Sequence, residues 1–268
     1  MAAVGASVAA RALWFEPRRI VVRRLDLRLP RWPQRYPGFR VALVSDLHAG
    51  GPHVGLDRVE RVVARTQALR PHLVALLGDY VDPEVALGET IPPEEVAARL
   101  GRLSAPLGTV AVLGNHDWAN DGERIAGALR DAGIRVLENG AARIVRTPEE
   151  LWVAGVADAS ARRPDVGRAL AAVPDDAGVL MLSHDPDVFP RVPARVALTL
   201  SGHTHGGQVN VPVMRGRWTP SRFGDRFADG HVVEGGRHLV VSRGIGESRL
   251  PVRLGAPPEI LLLTLSGV

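Results

Sequence analysis

Apolar residues follow two alternating rhythms along this chain. Short runs of four or five apolar positions are separated by stretches in which apolar residues recur every three or four positions. Such alternation is the mark of α/β layering. Residues 40–44, 73–77 and 109–113 read as buried strands. Between them, residues 56–69 place Leu56, Val59, Val62, Val63 and Leu69 on one helical face, with Arg and Glu elsewhere. Residues 93–103 open with Pro and two Glu, as a helix N-terminus does. Residues 122–132 form a third helix carrying Ile125 and Leu129, closed by Gly133. The second half is richer in strands. Residues 142–145 and 151–156 read as a hairpin pair, followed by strands at 178–182, 196–200, 239–242 and 259–265. Residues 206–237, rich in Gly, Pro and Arg, read as one long functional loop. No repeat or low-complexity linker interrupts the pattern. The simplest organisation is a single domain over residues 40–268, preceded by an Arg-rich segment, 1–39, that is partly a strand of that domain.

Composition narrows the chemistry. The 268 residues are 46% hydrophobic, enough for a sizeable core, and contain no cysteine. That excludes disulfides, thiolate catalysis and cysteine zinc sites. Any metal must be held by His, Asp, Glu, Asn or backbone oxygen, which favours hard or borderline cations. All 33 basic residues are Arg, and the net charge is +4. Compositional bias accounts for that preference, although Arg is also well matched to phosphate. Aromatic residues are only 4% of the chain, which argues against the stacking platforms of a nucleic-acid binder. The first ten residues are mildly apolar, stop at Arg11 and are too few to span a bilayer, so a frayed N-terminus is expected.

The chemistry gathers where strands end. Val44 runs into Ser45-Asp46-Leu47-His48, and Leu77 into Gly78-Asp79. Leu113 runs into Gly114-Asn115-His116-Asp117, Leu182 into Ser183-His184-Asp185, and Leu200 into Ser201-Gly202-His203-Thr204-His205. A lone Asp or His after a strand is ordinary turn chemistry. His203 and His205 are stronger, because residues two apart on an extended segment share a side. Five of the nine histidines fall in these five segments, so turn chemistry alone does not explain the set. In open α/β sheets ligands collect beyond the carboxyl ends of the strands. A carboxylate bridge with imidazoles around it offsets the repulsion of two neighbouring cations and leaves positions for water and a phosphate ester.

The succession Asp46-Leu47-His48, Gly78-Asp79, Gly114-Asn115-His116-Asp117, His184, Gly202-His203-Thr204-His205 resembles the calcineurin-like metallophosphoesterase superfamily over residues 40–265. Within it, Gly202 to Gln208, Ser242-Arg243-Gly244-Ile245-Gly246 and Pro257-Pro258-Glu259-Ile260 resemble the bacterial YaeI/YkuE-like phosphodiesterase branch. The resemblance implies a four-layer α/β/β/α sandwich, two facing mixed sheets with helices outside. It implies a first metal on Asp46, His48 and His205, and a second on Asn115, His184 and His203, bridged by Asp79. The metals would be divalent or trivalent transition ions, manganese first, with iron or zinc as alternatives. His116 would contact the phosphate and protonate the leaving group, and Asp117 would orient it. The implied reaction is hydrolysis of phosphate esters, chiefly phosphodiesters, by in-line attack of a metal-activated hydroxide. The alternatives are a pyrophosphatase for a UDP-diacylglucosamine-type lipid precursor and a non-catalytic metal-binding scaffold.

Beyond the metal shell, Gly207 would let substrate approach the backbone and Arg243 would clamp a phosphate. Trp118 is expected to pack, and His53, His72, His231 and His238 to be ordinary. Branch members often begin with a hydrophobic membrane segment, which this sequence does not convincingly show. Residues 11–40 instead carry nine Arg against Glu16 and Asp26. The expectation is a cytoplasmic protein in loose, salt-sensitive contact with anionic membrane at its inner face. Its substrate would be a phosphate ester, lipid-linked or small, and no specific nucleic-acid partner is expected.

Overall fold

A computed structural model describes residues 2–82, 84–145, 150–211 and 217–268. The chain opens with helix α1 (Ala2–Ala10), continues through a π-helical turn (Arg11–Phe15) and ends the arm with the short α2 (Glu16–Arg18). The N-terminus is therefore helical where fraying was expected. Alanine supplies much of the propensity, and the arm is tied down at its base, where Arg253 donates its N–H to the carbonyl of Ala12 at 3.0 Å.

Strands β1 (Val21–Leu29), β2 (Phe39–Val44), β3 (Leu73–Leu76), β4 (Thr109–Ala111), β5 (Arg135–Val136) and the C-terminal β12 (Glu259–Gly267) make the first sheet. Its order is β1-β12-β2-β3-β4-β5. The second sheet has the order β10-β11-β9-β8-β7-β6. It contains β6 (Gly140–Val145), β7 (Leu151–Gly155), β8 (Gly178–Leu182), β9 (Leu198–Ser201), β10 (Gly230–Glu234) and β11 (Arg237–Val241). Both sheets are mixed. β2 through β5 run parallel, as do β7, β8, β9 and β11, so each sheet directs several carboxyl ends to one edge.

Residue alternation explains the layers. Val41 and Leu43 of β2 face the interior between the sheets, against Leu180, Leu182, Leu198 and Leu200. Ala42 and Val44 face the other way, against α3 (Leu56–Ala68), α4 (Pro93–Leu100) and α5 (Asn115–Asp131) through Val59, Val62, Leu100, Ile125 and Leu129. The outer face of the second sheet, with Val179 and Met181, is covered by α6 (Val166–Leu170) and a 3-10 turn (Pro186–Arg191). The result is the α/β/β/α sandwich. Strands buried on both faces read as unbroken apolar runs, which is why the centre of each sheet was evident from sequence.

Several boundaries differ from expectation. α5 begins at Asn115 rather than Gly122, with an extended residue, Asp121 (φ −167°, ψ 80°), breaking it. The stretch read as one loop from 206 to 237 contains β10, which pairs with β11 as an antiparallel hairpin. Gly235 and Gly236 form its turn, both at positive φ (56° and 73°), as a two-residue turn of this kind requires. Arg23 on β1 reaches inward to Asp229 (3.5 Å) and Glu259 (3.9 Å), so the Arg-rich segment does not present all its charges to solvent. Among the described residues, no helix is long and apolar enough to cross a membrane.

Candidate metal centre

The loops that leave β2, β3, β4, β8 and β9 meet at one edge of the sandwich. Asp46 and His48 follow β2, Asp79 follows β3, and Asn115 opens α5 after β4. His184 follows β8, and His203 and His205 follow β9. The loops are stitched together by backbone bonds: Asp46 N–H donates to Gly78 O (2.9 Å), His48 N–H to Asp79 O (3.0 Å), and Gly202 N–H to His184 O (3.0 Å). Beneath Asp46, the backbone N–H groups of Ile245 and Gly246 donate to the carbonyls of Ser45 and Asp46, so the Ser242–Gly246 motif supports the first ligand loop. Gly202 has no room for a side chain, because a Cβ there would collide with Ser45 Oγ and Asp46 Oδ2. Five of the seven expected ligands, Asp46, His48, Asp79, His203 and His205, adopt the left-handed backbone, with φ between 45° and 72°. Non-glycine residues occupy that region rarely and at a cost, and such strain gathers at functional sites.

The donor atoms fall into two sets. Asp46, His48 and His205 bring ligand atoms within 4.8 Å of one another, and so do Asp79, His184 and His203. His48 Nε2 lies 3.2 Å from His205 Nε2, and His184 Nε2 lies 3.1 Å from His203 Nδ1. Asp79 Oδ2 stands between the pairs, 3.1 Å from His184 Nε2 and 3.6 Å from His48 Nε2. Two lone pairs this close repel unless a proton or a cation lies between them. His48 Nδ1 is engaged by Asp82 (2.8 Å) and His184 Nδ1 by Leu77 O (2.7 Å). Holding one ring nitrogen as a donor leaves the other, Nε2, free to ligate. Asn115 Oδ1 and His203 Nε2 are buried and have no hydrogen-bond partner among the described residues. Buried polar atoms are seldom left so. The donor set fits a metal pair.

Electrostatics separate the ligands. Burial opposes a charge on His184, but the Asp79 carboxylate beside it raises its pKa well above the usual imidazole value. Burial likewise opposes the charge on Asp79, yet the surrounding imidazoles, His184 foremost, hold its pKa well below the usual carboxylate range. Burial, then His48 and Arg253, keep His205 neutral by lowering its pKa far below normal. Arg253 is itself fully buried, 3.2 Å from His205 Nδ1, and donates to the carbonyls of Arg243, Gly246 and Ala256.

His116 sits at the mouth of the cluster with 18% of its side chain exposed. Its Nδ1 is 3.1 Å from Asp82 Oδ2, the oxygen that also engages His48. Burial lowers the His116 pKa, but the Asp82 hydrogen bond and the Asp79 charge outweigh it and bring it up to about 9. The carboxylate that orients His116 is thus Asp82, not Asp117. Asp117 is the third residue of α5 and accepts the N–H of its N-cap residue, Gly114. Its oxygens accept from the backbone N–H groups of Asp79 (2.8 Å), Tyr80 (2.8 Å) and Gly114 (2.9 Å). Burial and the nearby Asp79 push Asp117 up to about 7. Its place is to join the β3 and β4 loops. Asp82 was missed in the sequence. The available signal was a second carboxylate three residues after Asp79, in the same loop.

A cleft of about 480 Å³ opens over the cluster. Its lining joins Asp79, Asn115, His116, His203, His205 and Gly207 to an apolar wall of Val209, Trp218, Pro220, Leu250 and Val252, with Arg249. Gly207 is thus part of the cleft lining. Arg243 does not line this cleft. Its guanidinium is tied to Asp229 by two contacts of 2.7 and 2.6 Å, a buried carboxylate that Arg217 and Arg23 also reach. Arg249 is the cation on the wall. Trp118 is half-buried against the α-helical layer with Arg162 stacked over it. His72 accepts the Arg40 N–H, His53 lies 3.3 Å from the Pro251 carbonyl, and His231 and His238 stack on the β10–β11 hairpin, all away from the cluster.

Known proteins resemble this chain along most of its length. It is similar to the metallophosphoesterase YkuE of Bacillus subtilis, at 30% identity over 260 residues, covering 96% of this chain and 89% of that protein. It is 31% identical over 235 residues to phosphodiesterase YaeI of Escherichia coli, covering 85% of this chain and 82% of the relative. UDP-2,3-diacylglucosamine pyrophosphatase LpxG of Chlamydia trachomatis is 25% identical over 311 residues, with 92% and 90% covered. Residues 39–207 match the family model of calcineurin-like phosphoesterases, which spans every candidate ligand from Asp46 to His205. With that match and two relatives at 30% identity or more, the chain belongs to the calcineurin-like phosphoesterase family, in the branch of YkuE and YaeI, and is a metal-dependent hydrolase.

Proposed function

We propose that this protein hydrolyses phosphate esters, phosphodiesters foremost, at a dinuclear centre. Asp46, His48 and His205 would hold one cation, Asn115, His184 and His203 the other, with Asp79 shared between them. The observation that carries this reading is the position of Asp79 Oδ2 between two facing imidazole pairs, 3.1 Å from one and 3.6 Å from the other. Bound cations would supply Lewis acidity toward the phosphoryl oxygens and a lowered pKa for water. The protein's own part is at His116, whose Nδ1 Asp82 holds at 3.1 Å and which would donate its proton to the leaving-group oxygen. Mixed oxygen and nitrogen donors admit manganese, iron and zinc, with manganese placed first.

The apolar wall of the cleft favours an ester that carries an apolar group, and so a lipid-linked substrate over a small soluble one. The similarity to LpxG, named as a pyrophosphatase of a diacylated nucleotide sugar, supports pyrophosphate cleavage as the second reading. A lipid-linked substrate also fits a protein in loose contact with the inner face of an anionic membrane. Protein reconstituted separately with manganese, iron and zinc should bind two ions per chain by elemental analysis. It should turn over nitrophenyl diesters faster than monoesters. A panel extended to cyclic nucleotides and lipid-linked pyrophosphates then separates the two readings. Undiminished turnover with one ion or none would overturn the dinuclear assignment.

A further inference from the structure

The N-terminal arm has a surface unlike the rest of the molecule. Residues 5–11 of α1 and its continuation are all exposed. The helix Ala2–Ala10 contains no charged residue. Ser7 is its one polar side chain, and a helix so poor in polar groups is normally covered by protein or by lipid. Immediately after it, Leu13, Trp14 and Phe15 are 52, 59 and 67% exposed. Together they form a contiguous apolar ridge, where scattered single residues would need no explanation. Basic residues flank the ridge. Arg18 stacks its guanidinium 3.4 Å from the centre of the Trp14 ring, and Arg11 and Arg19 are exposed on either side of it. Glu16, the acid within this stretch, is turned inward and paired with Arg11 at 3.1 Å. Large aromatic and aliphatic side chains with basic residues beside them suit the boundary between acyl chains and anionic headgroups.

The arm is also fixed next to the cleft. The Ala12 carbonyl accepts from the N–H of Arg253, adjoining Val252 and close to Leu250 on the apolar wall. Leu250 is 60% exposed and Trp218 72%. Ala12, at the base of the exposed residues 13–15, is thus hydrogen-bonded to Arg253, one residue from Val252 in the cleft lining.

We infer that the N-terminal arm docks the protein on an anionic lipid surface through Leu13, Trp14 and Phe15, with Arg18 and Arg19 over the headgroups, which sets the lip of the cleft beside the bilayer. The docking surface stands without any assumption about catalysis. Only the placement of the cleft rests on the phosphoesterase reading, so the two are tested separately.

The full chain is mixed with vesicles of phosphatidylcholine with or without phosphatidylglycerol and sedimented, while hydrolysis of a soluble chromogenic diester is followed in parallel. Binding is expected only with phosphatidylglycerol and should weaken as salt rises. The triple variant L13S/W14S/F15S should bind about tenfold or more weakly, since affinity scales with buried apolar area. Arg18→Gln with Arg19→Gln should weaken binding less and flatten its salt dependence. Both variants should keep the melting temperature and the soluble-diester turnover. In the unmodified chain, amide exchange over residues 5–15 should slow when anionic vesicles are added, a readout independent of any variant. Equal binding to neutral vesicles, an unaffected triple variant, or no change in exchange would each overturn the proposal. So would a stable dimer in solution that protects residues 5–15 without lipid. Loss of diester turnover with vesicle binding intact would count against the phosphoesterase reading and leave the docking surface standing.

Discussion

The two sheets contribute different chemistry to the same edge. Loops of the first sheet bring Asp46, Asp79 and Asn115, the oxygen donors, together with His48 and His116. Loops of the second bring only imidazoles, His184, His203 and His205. Neither sheet holds a complete ligand set. On the proposed assignment each cation position draws on both, and the two are held together by the apolar layer between them and by polar contacts at this edge, such as His184 Nδ1 to Leu77 O and the His203 N–H to Asp46. The centre is therefore a property of the closed sandwich rather than of any one loop.

The sharpest way to break this division is at Asp79, where the oxygen side meets the imidazoles of both sets. Asp79→Ala should abolish turnover and reduce metal content below one equivalent, measured by elemental analysis. Two retained ions with full activity would remove the bridge. Next in size is His116→Ala. It should keep both ions and slow turnover roughly 10²–10⁴-fold, less for nitrophenyl than for alkyl esters, because a good leaving group needs less protonation. Equal losses would remove the acid role, and loss of metal would make His116 a ligand.

A third variant loosens the layer between the sheets. Leu182→Ala, fully buried and two residues before His184, should cost about 2–5 kcal/mol of stability in denaturant melts. It should also weaken cation binding without touching a donor. Unchanged metal affinity would show that the loops hold the centre without the core. Smaller again is Asp82→Asn. In the metal-free protein the His116 pKa of about 9 should fall toward the ordinary 6.5, read by NMR titration. Because the folded pKa is raised, the stabilisation is complete below about 6.5 and is lost as pH climbs through about 9. The melting temperature of the metal-free wild type should decline across that window more than that of Asp82→Asn. The smallest effect is expected at the cleft wall. Leu250→Ala should raise KM by roughly tenfold or less for esters with an acyl chain and leave KM for small esters alone.

The doubly buried strands and the donors at their ends were legible because burial on both faces writes continuous apolar runs and because ligand types followed five of them. What escaped was written in fewer letters. Asp82 lies within a loop and carries no periodicity. Its role appears only when the fold brings His48 and His116 to it. Asp117 looked like the natural partner of the adjacent His116, but its carboxylate turns to the N–H of Gly114 at the N-cap of its helix and to those of Asp79 and Tyr80 in the β3 loop. The β10–β11 hairpin did leave a signal, Gly235-Gly236 between the apolar pairs Val232-Val233 and Leu239-Val240, which the surrounding Gly and Pro masked. Arg243 reads as a free cation until Asp229, distant in sequence, is seen to occupy it.

The left-handed backbone at Asp46, His48, Asp79, His203 and His205 bears on the history of the chain. Each such residue costs about 1–2 kcal/mol relative to an ordinary conformation, and glycine would remove most of that cost. A lineage selected for folding alone would drift toward glycine at these five positions and grow more stable as it did. Acids and imidazoles at these positions therefore carry a folding cost that what those side chains hold must offset, and a duplicated copy freed from that demand should shed them first.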